Sequence, residues 1–311
     1  MRIVFLGADS FACPIVQRLA AREQDELAGI VTQPERPKGR RRRASACPVH
    51  ALMREGAIPI RTPTRVNEPD NIETVRAWRP DLIVVAAYGQ ILKAELLALP
   101  PLGCVNVHAS LLPKHRGAAP IQWALARGEA ETGITTIYMN EAMDEGDIIL
   151  QHKLPIDPDD TGGTLRERLA ALGVKTLEKT LELLRAGTAP RTPQNHAEAS
   201  NAPKLKKQDG RIDWRESADS LRNRIRAFNP WPGCTCTVPL PSTPLLKVLR
   251  TRVERARGEP GSIQDISKDG LLVQTGSDAI RLLEVQPQGG KIMDGGAYAR
   301  GRPLKVGDLF S

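Results

Sequence analysis

Residues 103–120, "GCVNVHASLLPKHRGAAP", contain an apolar strand that ends in polar side chains and then changes direction. In a strand, residues i and i+2 share a face, so Asn106 and His108 point together while Val105 and Val107 point the other way. Pro113 stiffens the turn, and the basic, glycine-containing segment Lys114-His115-Arg116-Gly117 follows it. Upstream, "RIVFLG" (2–7), "ELAGIVTQ" (26–33) and "DLIVVAAYG" (81–89) are apolar runs of the kind buried in a parallel sheet. Helical patterns separate them: "FACPIVQRLAAR", with Asp9 or Ser10 as cap, then "VHALMREG", "EPDNIETVRAWRP" and "AELLAL". Strands alternating with helices predict an α/β, Rossmann-like, mostly parallel sheet with right-handed crossovers. Such sheets bind ligands at the carboxyl ends of their strands, where Asn106 and His108 stand.

Beyond residue 120 the pattern continues with a helix, "PIQWALARGE", and then two strands around an acidic loop in "ETGITTIYMNEAMDEGDIILQHKLPI". A long amphipathic helix follows, with Leu165, Leu169, Leu172, Val174, Leu177 and Leu181 along it. "TAPRTPQNHAEASNAPKLKKQDG" (188–210) has no apolar period and reads as a linker. After it, "SADSLRNRIRAFNPWPG" is a helix ending in a rigid turn, and short strands alternate with the hairpin signals "KDG" and "GSD". This texture predicts a small OB-like β-barrel, an architecture that commonly displays a nucleic-acid face. We expect a catalytic domain over 1–189, a linker over 190–206 and a β-barrel over 207–311.

A chain of 311 residues can bury ample core without disulfides or metal, and 41% hydrophobic with 26% charged residues is an ordinary globular composition. No apolar run has the length of a membrane span, and the N-terminus leads straight into a folded pattern, so a cytoplasmic protein is expected. Five scattered cysteines argue against a disulfide framework. Cys234 and Cys236 have C-x-C spacing but no second Cys/His pair nearby, and read as strand thiols on opposite faces rather than a zinc half-site. The net charge of +8 is concentrated in residues 201–311, which hold 19 Lys/Arg and 12 Asp/Glu against 25 and 24 in residues 1–200. A basic C-terminal part beside a balanced N-terminal part suggests a polyanionic partner. A second basic block, "RPKGRRRR" (36–43), lies in a proline-bounded loop over 34–48.

Taken alone, Asn106 and His108 fit a polar strand end with satisfied side chains as well as they fit a site. In "MDEGDIIL" (143–150), Asp144, Glu145 and Asp147 crowd a turn that Gly146 permits. A solvated acidic turn is the ordinary reading, and the spacing does not suit a calcium loop. A carboxylate there could instead orient a histidine. The first strand–helix turn, "GADSFA", has a single glycine and lacks the G-x-G-x-x-G of dinucleotide sites. No G-x-S-x-G, H-E-x-x-H or phosphate-loop motif is present.

"NVHASLLPKHRGAAPIQWAL" followed by "GITTIYMNEAMDEGDIIL" resembles the signature of the methionyl-tRNA formyltransferases, and "LKKQDGRIDW" and "RAFNPWPG" resemble the start of that family's second domain. The resemblance spans nearly the whole chain. It departs at the first turn, where Ala8-Asp9 replaces the family's usual Thr-Pro. It implies a formyltransferase fold and transfer of a formyl group from 10-formyltetrahydrofolate to the α-amine of initiator methionyl-tRNA, for translation initiation. It further implies that Asn106, His108 and Asp144 are catalytic, and that Ser110, Leu111, Leu112 and Pro113 line the folate site. The loop after the second strand is implied to approach the tRNA, through Arg36, Lys38, Arg40, Arg41, Arg42 and Arg43. Lys204, Lys206, Lys207 and Arg211 of the basic second domain are further candidates for phosphate contacts. No metal or nucleophilic cysteine is required. Which of His108, Asp144 or a water moves the proton is left open by the residues. A monomer is expected. Two rivals share parts of this pattern: a folate-dependent formyltransferase acting on a small amine such as glycinamide ribonucleotide or an amino-sugar nucleotide, and a non-catalytic RNA-binding protein.

Overall fold

Apolar runs too long for one sheet face form the middle of a seven-stranded sheet in a computed structural model that describes residues 1–38, 43–240 and 245–311, the side chains of Pro37, Lys38 and Arg43 excepted. The elements in chain order begin with β1 (Arg2–Gly7), α1 (Cys13–Ala20), β2 (Glu26–Val31), β3 (Arg36–Lys38), β4 (Arg43–Ser45), α2 (Pro48–Met53), β5 (Ile60–Arg61), α3 (Pro69–Ala77), β6 (Leu82–Ala86) and α4 (Ala94–Leu97). They continue with β7 (Cys104–His108), α5 (Pro120–Ala126), β8 (Glu131–Tyr138), β9 (Ile148–Pro155) and α6 (Gly162–Arg185). The last group is α7 (Ala218–Ala227), β10 (Cys234–Thr237), β11 (Leu245–Glu254), β12 (Ile263–Ser267), β13 (Gly270–Gln274), β14 (Ala279–Pro287), β15 (Met293–Asp294) and α8 (Gly295–Arg300). The chain divides into two compact units, one of residues 1–120, 131–155 and 166–203, the other of 121–130, 156–165 and 204–311.

In the first unit the strand order is β5-β2-β1-β6-β7-β8-β9. The five strands from β5 to β7 are parallel, and β8 and β9 each run antiparallel to their neighbour. The sheet is therefore mostly parallel with an antiparallel edge. The short acidic loop joins β8 to β9 as a hairpin, which a parallel pair could not use. One face buries Val4, Leu6, Ile83, Val85 and Cys104 with Val66, Ile72, Val75, Leu92 and Leu96. The opposite face carries Val107 under α6, where a side chain at Gly173 would meet Ile15, Val107 and Phe11. Burial of each such aliphatic side chain contributes about 1.5–3 kcal/mol.

Two readings are corrected, and the structure adds contacts to a third. Residues 34–48 are not wholly loop: β3 and β4 pair antiparallel as a two-stranded ribbon, too short and too charged for a periodicity to reveal it. The stretch read as a linker is held to its surroundings, with Thr192 paired to Ile148, Ser200 and Ala202 bonded to the 113–119 segment, and Arg191 lying 3.6 Å over the Tyr138 ring. Cys234 and Cys236 share the buried face of β10, as the two-residue period of a strand requires, and burial pushes the Cys234 thiol up to about 12.

The second unit is an antiparallel sheet in the order β10-β11-β14-β13-β12, with β15 paired to β14. Its C-terminal tail closes it. Phe310 N donates to Gly261 O and Ile263 N to Asp308 O beside β12, while Thr237 and Ser311 exchange backbone hydrogen bonds beside β10. Both outer strands are thereby covered, which removes the open edges of a lone sheet. Arg281 is the unit's polar cross-link. Its guanidinium donates to Glu254 through Nε (2.7 Å) and Nη2 (2.8 Å), and its Nη1 reaches Asp265 Oδ2 at 2.9 Å and Gly270 O at 3.1 Å, tying β11, β12, β13 and β14 together. Arg281 holds the Glu254 carboxyl at about 2, below its ordinary 4.5.

A depressed carboxylate stabilises the fold fully above its unfolded value and loses that contribution as pH falls toward the folded one. Glu254→Gln should therefore cost about 1–3 kcal/mol near neutrality. The gap to wild type in thermal unfolding should close between pH 4.5 and 2.

Candidate active site

β7 runs past its parallel neighbour. Its register with β6 ends at Val85↔Asn106, so His108 stands beyond the pairing and faces only the antiparallel β8, opposite Thr135. Asn106 is half-buried and His108 is buried. The carboxylate arrives on the β8–β9 hairpin. Tyr138 N donates to Asp147 O at 2.9 Å and closes that hairpin, bringing Asp144 back over the end of β7. Asp144 then accepts from Asn106 Nδ2 (3.1 Å) through Oδ1 and from Gly117 N (2.8 Å) through Oδ2. His108 Nδ1 lies 3.6 Å from the same Oδ2.

The imidazole is oriented from its other side. Nε2 is 3.0 Å from His115 O, and a carbonyl only accepts, so Nε2 carries a proton and donates. That leaves Nδ1 as the ring edge facing the carboxylate. Two of these groups sit in the left-handed backbone region, His115 at φ +61 and Asp144 at φ +56. Both belong to the few residue types that tolerate it. Gly117, at φ +117, is required for a different reason: a side chain there would come 2.8 Å from Ala202 O.

The Ser110–Pro113 turn is built around the hydroxyl of Thr135. Thr135 Oγ1 donates to Ser110 O (2.6 Å) and accepts from Leu112 N (3.1 Å) and Gln151 Nε2 (3.0 Å). Gln151 Nε2 also donates to Leu112 O at 2.8 Å, and Ser110 Oγ donates to Lys114 O at 2.6 Å. The Leu112–Pro113 peptide is cis. Ser110 and Leu112 are buried and form the turn's frame, whereas Leu111 and Pro113 are half-buried and have surface to offer a ligand. The expected tRNA residues divide similarly. Arg36, Lys204, Lys206, Lys207 and Arg211 are exposed. Lys38 and Arg43 lie on the ribbon strands, and Arg40, Arg41 and Arg42 lie outside the described residues.

The structure adds residues to the site that sequence reasoning does not assign. Arg116 and Gly117 lie three and four residues after Pro113, yet in sequence they read only as basic and flexible. Thr135 and Gln151 sit inside strands whose pattern hides them. Gln194 lies in a segment without period and gives no signal. At the first turn, Asp9 caps the following helical turn through Phe11 N (3.0 Å) and pairs with Arg166. Among the described residues no group of three or more His, Cys, Asp or Glu is arranged to hold a metal ion.

An amide donor, an imidazole and a carboxylate on one side of a strand end can bind and stabilise an oxygen that becomes negative, and can move a proton beside it. Gly146 sets how close the carboxylate comes: a Cβ there would lie 1.7 Å from Tyr138 O. Gly146→Ala must therefore displace the Asp144 turn. Its turnover should fall by at least about tenfold, up to a hundredfold for a shift near 1 Å, with substrate KM values little changed in steady-state kinetics.

Comparison with known proteins identifies the family. Residues 1–181 match the Formyl transferase family, and residues 204–303 match the family described as Formyl transferase, C-terminal domain. A methionyl-tRNA formyltransferase of Geobacter metallireducens is 42% identical over 307 residues, covering 99% of this chain and 97% of that one. One from Moorella thermoacetica is 43% identical over 312 residues, covering 100% and 99%. Among solved structures, HypX from Aquifex aeolicus in complex with tetrahydrofolic acid is similar at TM-score 0.62 and 18% identity, over all of this chain and 50% of HypX. An N-formyltransferase from Helicobacter canadensis, in complex with folinic acid and dTDP-3-aminofucose, is similar at TM-score 0.64 and 17% identity, over 91% and 99%. These two likenesses establish the fold. With both sequence regions present in order and curated relatives matched end to end, the chain belongs to the methionyl-tRNA formyltransferases.

Proposed function

We propose that Asn106, His108 and Asp144 carry out the formyl transfer, from 10-formyltetrahydrofolate to the α-amine of initiator methionyl-tRNA, that membership of this family assigns to the chain. The observation that supports their role is the convergence of an Asn amide and a His ring on the two oxygens of one carboxylate, at the carboxyl end of β7. The neutral amine attacks the formyl carbon, and the formyl oxygen gains negative charge. Asn106 spends one N–H on Asp144 and keeps the other for that oxygen. His108, fixed through Nε2, turns Nδ1 toward the same side, where that nitrogen, without a proton of its own, is placed to move a proton between amine and folate N10. Asp144 holds the amide through Oδ1 and lies beside the His108 ring through Oδ2. Each well-aimed donor of this kind contributes about 3–4 kcal/mol to the transition state.

The half-buried Leu111 and Pro113 fit the role of apolar contacts for a flat pterin beside this group. For the acceptor, the exposed Lys204, Lys206, Lys207 and Arg211, with Arg36, Lys38 and Arg40 to Arg43, fit phosphate contacts that position tRNA without reading bases. On this reading residues 1–189 catalyse, 207–311 bind tRNA, and 190–206 join them. The enzyme works as a monomer in the cytoplasm. No described helix is long and apolar enough to cross a membrane.

Purified protein given a labelled formyl donor should formylate methionyl-tRNA in preference to glycinamide ribonucleotide or an amino-sugar nucleotide. Turnover of only a small amine would contradict the acceptor assignment. Asn106→Ala and His108→Ala should each lower kcat by about 10²–10³-fold while tRNA binding persists. Replacing Arg40 to Arg43 by Gln should flatten the salt dependence of tRNA binding, by roughly 0.7–0.9 in slope for each phosphate left without its cation. An unchanged slope would remove this segment from the interface.

A further inference from the structure

A buried glutamine outside the reacting group holds two residues of the catalytic turn, and its arginine partner holds the residue between them. Gln194 is 6% exposed and comes from the aperiodic segment after α6. Its Nε2 donates to Asp144 O and to Gly146 O, both at 2.8 Å. Its Oε1 accepts from Arg116 Nε (3.1 Å) and Nη2 (2.8 Å). The remaining arm of Arg116 pairs with Glu145, Nη1 to Oε1 at 3.0 Å. Two carbonyls can only accept and a guanidinium can only donate, so the amide orientation follows from its partners. Every hydrogen-bonding site of the Gln194 amide is filled in this one orientation.

Arg116 is itself fixed. Its N donates to Ser200 O at 2.8 Å, and its O accepts from Ala202 N at 2.6 Å, so the backbone of the 194–202 segment grips the loop that supplies Gly117 N to Asp144. The chain thus reaches the carboxylate from two sides. Gly117 N holds the Asp144 side chain, and Gln194 holds its backbone at φ +56, a conformation that costs an L-residue about 1–2 kcal/mol and persists only under such restraint.

We propose that Gln194 is a positioning residue for formyl transfer, acting through its two N–H bonds to the Asp144–Gly146 turn with Arg116 as the group that aims it. The proposal rests on the role given above to Asp144. Gln194 touches neither the amine nor the formyl carbon. It fixes where the carboxylate sits, and through it the Asn106 amide and the setting of the His108 ring.

Two substitutions separate this role from simple packing. Gln194→Glu keeps size and can still accept from Arg116, but it cannot donate and sets an oxygen against Asp144 O and Gly146 O. Gln194→Met removes both halves of the interaction. If the donating half matters, both variants lose kcat, on the order of a hundredfold for a turn displaced by about 1 Å. Their KM values for methionyl-tRNA and formyl donor should stay within about threefold, since the groups that bind either substrate are untouched. Amide hydrogen exchange over residues 140–147 should accelerate in Gln194→Glu, with β7 and β8 unchanged. Arg116→Lys, which leaves the glutamine but removes its fork, should lower kcat as well. Wild-type kcat in Gln194→Glu, or a defect confined to melting temperature or KM, overturns the proposal. Wild-type enzyme assayed in parallel keeps the cases apart: inactivity toward methionyl-tRNA overturns the functional reading and this inference together, whereas an active wild type matched by Gln194→Glu overturns only the inference.

Discussion

One carboxylate, that of Asp144, has to be brought within hydrogen-bonding reach of a strand that lies 38 residues before it, and much of the local structure serves that placement. A carboxylate on a hairpin turn would ordinarily point to water. Here Gly117 N and Asn106 Nδ2 each take one of its oxygens, leaving His108 Nδ1 3.6 Å from the second. Bonds to charged groups are about twice as strong as neutral ones, which offsets the cost of partly burying the acid.

The sheet supplies the geometry. Because β7 outruns β6, its last residues have a free side at the place where parallel α/β sheets open toward ligands. Because β8 returns antiparallel beside it, a hairpin rather than a long crossover reaches the same end of the sheet. The antiparallel edge and the acidic turn are thus two aspects of one arrangement. The second unit solves a separate problem. It uses its own tail to cover both outer strands and one buried arginine to tie four strands together.

Much of this is legible in the residues. The strands of the first unit announce themselves because a strand buried on both faces has no polar position to interrupt it, as in "RIVFLG" and "DLIVVAAYG". Asn106 and His108 stand out for the opposite reason, being polar within such a strand. The assignment of Asp144 to the same site needs the family resemblance, since an acidic turn by itself reads as solvated. What stays hidden is held by the backbone or by isolated side chains. The β3–β4 ribbon is only three residues per strand. Gln194 acts through hydrogen bonds that follow no period. The stretch around it looks like a tether because its partners are carbonyls and amides, which every residue possesses. The shared facing of Cys234 and Cys236 is different in kind: the two-residue period of a strand decides it, and the expectation of opposite faces went against that period.

A double-mutant cycle in kcat between Asn106→Ala and Asp144→Ala asks whether these groups work as one unit. If the carboxylate acts by holding the amide, removing both should cost little more than the worse single change, because each substitution already dismantles the same arrangement. Costs that multiply, giving a double variant slower than either single by the product of their effects, would show two independent contributions and contradict the account.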